Sequence, residues 1–215
     1  VGTLNEAKYE YPAITHWHEN GRFNVDPRSE NENGSRLIPH ITVNDAIGDL
    51  PKITDNWRIS ECEYKLKDPI NEYQRLMRSD SKTTVKNNIC RMSNDRAKRV
   101  FDQMKQGDRY MDLPKEVRSI LPFREDIFKD RLKRLIGHEP SWTVLAHIGM
   151  DGYMYIHPEE CRTLSVREAA RIQSFPDDFE FVGNQQETYH QVGNAVPPLM
   201  ARAIANEVYE YLEQL

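Results

Sequence analysis

The 215 residues are 38% hydrophobic and 29% charged, with a formal net charge of −5 and a mean hydropathy of −0.76. That length holds one large domain or two small ones with a buried core, and the polar balance predicts sizeable surface stretches. There is no run of eighteen apolar residues and no basic-then-apolar leader after Val1, so neither a membrane span nor a secretory signal is expected, and the cytoplasm is the expected compartment.

The charge is uneven. Residues 1–55 hold 5 basic and 9 acidic side chains, residues 56–140 hold 20 and 14, and residues 141–215 hold 4 and 11. A basic island therefore stands between acidic flanks, with Arg91, Arg96, Lys98 and Arg99 in one cluster and Lys129, Arg131, Lys133 and Arg134 in a second. Such an island is either a phosphate-binding face or a set of solvated helix faces, because acidic residues are interleaved with the basic ones. Cys62, Cys90 and Cys161 are odd in number and widely spaced. They form neither a disulfide framework nor a zinc pattern and are read as reduced and structural, and no metal site is expected.

In chain order, residues 18–36 are rich in Asn, Glu, Gly and Ser and predict a surface loop. Thr42 begins a capped short helix stopped by Pro51, with Val43, Ala46, Ile47 and Leu50 at helical spacing. A second helix is expected over 93–106, capped by Ser93 and burying Ala97, Val100, Phe101 and Met104. Ile127, Leu132, Leu135 and Ile136 suggest a third, running from Asp126 to Gly137. From Trp142 to Pro158, β-formers flank Asp151-Gly152, a common hairpin turn, so a β-hairpin is expected. Ser165 and Glu168 form a capping box that opens another helix, ended by Pro176. After Gly193 a terminal helix is expected, with Pro197 and Pro198 in a first turn that needs no donors and Ala201, Ile204, Ala205, Val208 and Leu212 at helical spacing.

Two of these segments resemble one family closely. Residues 162–179, RTLSVREAARIQSFPDDF, are similar to the ninth conserved block of the DNA cytosine-5 methyltransferases. Twelve residues on, QVGNAVPP (191–198) resembles their tenth block, in the family's order and spacing. More loosely, residues 12–16 and 42–51 resemble the approach to the family's variable target-recognition domain, whose place residues 56–140 and the expected hairpin then occupy.

The resemblance implies an α/β fold: the C-terminal portion of a Rossmann-like methyltransferase catalytic domain, with an inserted mixed α+β target-recognition domain. On that pattern residues 1–55 connect the core to the recognition domain, 56–158 form it, and 159–215 return to the core. The implied cofactor is S-adenosylmethionine, with Asn194, Ala195 and Val196 against its methionine part, and Gly193 where a positive φ or a close approach is needed. The implied partner is double-stranded DNA. Pro140-Ser-Trp-Thr-Val is similar to the recognition-domain threonine followed by a branched residue, which makes Thr143 the candidate backbone contact. Arg131, Lys133, Arg134 and Arg162 are the other candidate DNA contacts, and Arg162, Arg167 and Arg171 are read as salt-bridge or phosphate partners.

The family's chemistry adds a cysteine thiolate to carbon 6 of a flipped cytosine, activating carbon 5 for methyl transfer. That cysteine follows a proline, whereas Cys62, Cys90 and Cys161 follow Glu61, Ile89 and Glu160. No glycine-rich cofactor turn is present either. No catalytic residue is therefore expected in this chain, and the isolated chain is expected to be inactive. Its expected partner is an N-terminal methyltransferase half, in the same longer protein or a separate subunit, with restriction-modification as the setting. A non-catalytic DNA-binding subunit and an inactive gene remnant are the competing readings.

Overall fold

The computed structural model describes residues 11–17, 30, 34–53, 60–78, 83–124, 131–150 and 152–213. They are mixed α/β and fall into two compact units, one of Val1–His40 with Val196–Leu215 and one of Ile41–Ala195. No described helix is long and apolar enough to cross a membrane. Most of the expected 18–36 loop lies outside the described residues.

In the first unit, β1 (His16–Trp17) pairs in parallel with β2 (Ile38–Pro39), His16 opposite Ile38. Its helix, α7 (Pro198–Glu213), opens as expected. Pro198 takes the first turn, and the Pro197 carbonyl accepts the Ala201 N–H at 2.9 Å.

The second unit begins with α1 (Val43–Ile47), where Thr42 and Asp45 form a reciprocal capping box. An antiparallel pair follows, β3 (Glu61–Glu63) with β4 (Thr84–Lys86), and α2 (Glu72–Met77) lies between them in sequence. Helix α3 (Asp95–Asp102) buries Ala97, Val100 and Phe101, as their spacing predicts. Its cap, however, is Asn94, whose side chain accepts the Ala97 N–H at 2.9 Å, while Ser93 is buried. Asparagine caps at least as well as serine, so the helix starts later than expected. A short α4 (Lys115–Arg118) follows.

Two further expectations are corrected in the segment that joins the cores. Where a helix over 126–137 was expected, β5 (Lys133–Arg134) pairs in parallel with β6 (Tyr155–Ile156), Lys133 opposite Tyr155; residues 125–130 lie outside the described set. Leu132, at φ 50°, breaks helical geometry immediately before the strand. In extended chain, residues three apart face opposite sides. Leu132 accordingly enters the cluster around α3, and Leu135 enters the cluster around α1 and the next helices. Ile156 and Tyr155 divide the same way. The strand pair is thus the wall between two cores, and apolar spacing alone mistook it for a helical stripe.

Among the described residues, the hairpin expected over 142–158 is also absent. Ala146–Gly149 and Gly152–Met154 form 3-10 turns, and only Tyr155–Ile156 is strand; Asp151 itself lies outside the described residues. A two-residue turn would have Gly152 as its second central residue, but Gly152 opens a 3-10 turn. This glycine answers a space constraint instead, since a Cβ there would meet Arg91 Nη1 at 2.6 Å.

Helix α5 (Val166–Ile172) has the expected Ser165–Glu168 capping box. It ends before Pro176 in a Schellman motif. Ser174 adopts φ 60°, while Phe175 N–H donates to Ala170 O at 2.9 Å and Ser174 N–H donates to Arg171 O at 3.0 Å. Helix α6 (Gln185–Asn194) follows, capped by Asn184 and Glu187.

Candidate nucleic-acid interface

The wall formed by β5 and β6 presents two cations beside aromatic rings. Lys133 Nζ lies 5.5 Å from the centre of the Trp142 ring, and the Arg131 guanidinium lies 4.9 Å from that of Phe123. Both cations are half-buried. Long basic side chains commonly bury their stems and keep the charge near water. Next to Trp142, Thr143 is exposed.

The backbone around Thr143 is held by a side chain rather than by a strand. The Tyr155 hydroxyl donates to Thr143 O at 2.7 Å and accepts the Leu145 N–H at 2.9 Å. Between those contacts Val144 is buried in the main core. The following 3-10 turn, Ala146–Gly149, packs on α6 through two glycines. A Cβ on Gly193 would meet Ile148 Cγ2 at 2.8 Å, and Ala146 Cα and Leu145 O at 3.0 Å. A Cβ on Gly149 would meet the His190 ring at 2.2 Å. Of the two alternatives expected for Gly193, the structure has the close approach, since Gly193 is helical and its φ is not positive.

Arg91, from the first basic cluster, secures the far end of this turn. Its guanidinium donates to Ile148 O at 2.7 Å and to Gly149 O at 2.6 Å, and lies 4.2 Å from the centre of the Tyr189 ring. These are carbonyls that a short helical turn leaves unpaired. Arg96, Lys98 and Arg99 of the same cluster are exposed on the outer face of α3.

Two candidate DNA contacts are turned inward. Arg134 is buried, and its guanidinium donates to the carbonyls of Phe101 at 2.6 Å, Met104 at 3.1 Å and Pro158 at 3.1 Å. Arg162 is buried against Glu168 in a two-point pair, both bonds 2.7 Å, and reaches Glu160 at 2.9 Å. Burial works against its charge, but those two carboxylates hold its pKa above the usual guanidinium value. A planar fork meeting a carboxylate in this way is strong and directional.

Arg167 and Arg171 on α5 are likewise structural. Arg171 pairs with Asp177 and with Asp49 after α1. Arg167 reaches the carbonyls of Lys86, Pro176 and Phe179. Tyr64 from the chain after β3 donates to Asp177 at 2.5 Å. Helix α5 therefore ties α1, the β3–β4 pair and the 176–181 segment together through buried charge. Of the alternatives expected for these three arginines, Arg162 and Arg171 have the salt bridge, while Arg167 bonds mainly to carbonyls with Asp177 3.8 Å away. The sequence marked the arginines but not Asp49, Asp177 or His157; an acid following an apolar helix end was the only available signal for Asp49.

At the other expected site, α6 ends on Asn194, which is exposed, and Ala195 leaves the helix in extended geometry. Val196 begins the other unit and is exposed. The exposed Asn194 amide can both donate and accept hydrogen bonds, as the polar end of an amino-acid moiety requires. None of the thiols with a shifted pKa is activated, because burial pushes Cys62 up and Cys90 up to about 11, whereas reactive thiols are shifted down. Among the described residues no group of His, Cys, Asp and Glu is arranged to hold a metal ion.

Comparison with known proteins agrees with the motifs. The family model for C-5 cytosine-specific DNA methylase matches residues 1–210. A protein of Oceanobacillus iheyensis described as a type II methyltransferase is 36% identical over 211 residues, covering 82% of this chain and 46% of its own length. The type II methyltransferase M.Bpa9945I of Bacillus paralicheniformis is 38% identical over 189 residues, covering 80% and 41%. A solved E. coli prophage protein described as a DNA modification methyltransferase superposes with a TM-score of 0.60 at 20% identity, over 84% of this chain and 49% of its own. The chain thus spans less than half the length of these relatives.

Proposed function

The chain belongs to the C-5 cytosine-specific DNA methylases, and from that premise we propose that it is the DNA-reading and cofactor-completing part of a cytosine-5 methyltransferase acting on duplex DNA. The fold reading that goes with it is the C-terminal portion of a Rossmann-like catalytic domain carrying an inserted recognition domain. Thr143, Lys133 and Arg131 face the DNA backbone, with the exposed cations of α3 as further phosphate contacts. Arg134 and Arg162 act inside the fold. Asn194, Ala195 and Val196 line the methionine end of S-adenosylmethionine, which supplies the methyl group when bound.

One observation carries this reading. The segment that bears Thr143 packs through Leu145 and Ile148 onto Gly193, one residue before Asn194. A DNA-facing group and a cofactor-facing group therefore belong to one packed body. Type II relatives support a restriction-modification setting.

The reading is tested by incubating the chain with duplex DNA and methyl-labelled S-adenosylmethionine, with and without a polypeptide carrying the preceding conserved blocks. Label in DNA only from the mixture is the expected result. Label transferred by the chain alone overturns the assignment of the nucleophile to a partner polypeptide. No label from a mixture that forms a stable complex overturns the enzymatic reading and leaves the non-catalytic one.

A further inference from the structure

We propose that Tyr155 is a positioning residue for Thr143: its buried hydroxyl bridges the backbone on either side of Val144 and sets how the threonine is presented to DNA. This rests on the reading of Thr143 as a DNA-facing group. Tyr155 is 1% exposed and cannot itself reach a large ligand. A buried phenol must be hydrogen-bonded, and here it donates to Thr143 O and accepts from Leu145 N–H. Among the described residues no strand pairs with residues 143–145. The tyrosyl oxygen therefore does for this segment what a neighbouring strand does elsewhere, at one point instead of along a ladder.

Tyr155 is itself rigidly placed. Its carbonyl accepts the Leu164 N–H at 3.1 Å, just before α5. Its Cα lies opposite Lys133 in the β5–β6 register. Lys133 is thus referenced to Tyr155 through the backbone ladder, and Thr143 through the side chain. One residue thus references two of the groups that the proposed function gives to DNA, Lys133 and Thr143. From the opposite side, the segment lies so close to Gly193 that an added Cβ would meet Leu145 O at 3.0 Å and Ile148 Cγ2 at 2.8 Å, which leaves it little freedom to tilt toward α6.

Phenylalanine at 155 keeps the ring and removes the hydroxyl that forms the bridge. The experiment compares the full chain with Tyr155→Phe, Thr143→Ala and the double variant, reading Leu145 amide exchange without DNA and binding of a labelled mixed-sequence duplex. Tyr155→Phe is expected to speed Leu145 exchange about tenfold and to weaken duplex binding about fivefold, the usual scale for one hydrogen bond. In the Thr143→Ala background its effect on binding is expected to fall below about twofold, because residues acting through one contact are not additive. A merely structural tyrosine would weaken binding equally in both backgrounds, and that result overturns the inference. Unchanged Leu145 exchange overturns it as well. Unchanged binding by Thr143→Ala alone overturns the DNA reading of Thr143, and the exchange data, taken without DNA, tell that failure apart. If Tyr155→Phe does not fold, Gly193→Ala displaces the same segment from the other side; its binding loss must also shrink with Thr143→Ala, and a loss that persists undiminished overturns the inference.

Discussion

Gly193 leaves room for Leu145: a methyl group on that glycine would sit 3.0 Å from the Leu145 carbonyl oxygen and 2.8 Å from the Ile148 side chain. Two effects compete in Gly193→Ala. The position is inside α6, where alanine gains about 1 kcal/mol in helix propensity over glycine. Against that stand two backbone atoms and a fully buried isoleucine, which cannot all retreat, and overpacking of this kind costs about 1–3 kcal/mol. The overpacking dominates, so Gly193→Ala is expected to lower the urea midpoint with the m-value unchanged. A midpoint equal to or above that of the native chain would mean that the 145–149 turn yields easily.

The inward placement of Arg134 and Arg162 separates the basic residues into two kinds. A cation that neutralises a phosphate contributes close to one unit to the salt slope of duplex binding. Lys133→Gln and Arg131→Gln are each expected to lower the slope by about that amount at little cost in stability. Arg134→Gln is expected to leave the slope unchanged and to destabilise, since the carbonyls of Phe101, Met104 and Pro158 lose their shared donor. Titrations at several salt concentrations, paired with urea melts, decide the matter. A slope change in Arg134→Gln without loss of stability would return that residue to the DNA face.

Capped helices were the most legible feature of the sequence, because their signals are local. Thr42 as a helix cap and Ser165 with Glu168 as a reciprocal capping box appear as read, and Asp45 closes the box on Thr42 as well. The segment 126–158 misled because its decisive contacts are distant in sequence. Leu132 and Leu135 go to different cores, and Tyr155 serves a backbone twelve residues away. Glycines 149 and 152 suggest a turn until His190 and Arg91 are known to lie against them. The site suffered in the same way: charge type was visible in Arg134 and Arg162, but direction was not, since it depends on carbonyls and acids supplied by other elements.

The Arg162–Glu168 pair should behave quite differently from an exposed one. Arg162→Met leaves a fully buried carboxylate with the Ser165 N–H at 2.7 Å and the His157 ring edge at 3.6 Å. Removing one partner of such a pair costs about 3–5 kcal/mol. Lys86 and Glu180 lie 3.0 Å apart with half-exposed side chains, where solvent screens the pair, so Glu180→Gln should cost far less than Arg162→Met. Urea unfolding of both variants at neutral pH tests the contrast. Equal losses would show that burial around α5 is less complete than the structure indicates.

Acid should unfold the protein through the same cluster, in two steps of known sign. Burial alone would raise the Glu168 carboxyl, but the Arg162 guanidinium and its hydrogen bonds override that and hold it down to about 2, against 4.5 when unfolded. A depressed carboxylate stabilises fully above its unfolded value, so this contribution, on the order of 3 kcal/mol, is lost as pH falls from 4.5 toward 2. His157 acts earlier. Its Nδ1 accepts the N–H groups of Glu159 and Glu160 at 3.1 and 2.9 Å, which places the ring proton on Nε2, toward Glu168. Burial lowers its pKa below 6.5 despite that carboxylate. A neutral buried imidazole stabilises above its unfolded value, so stability should begin to fall as pH drops below 6.5, before the carboxylate step. Unfolding free energy measured against pH should show a shallow decline first and a steeper one below 4.5. In Arg162→Met the steeper decline should move upward in pH, because Glu168 loses the charge that holds it ionised. Ring nitrogen shifts that place the proton on Nδ1, or an acid limb unchanged by Arg162→Met, would refute this account of the cluster.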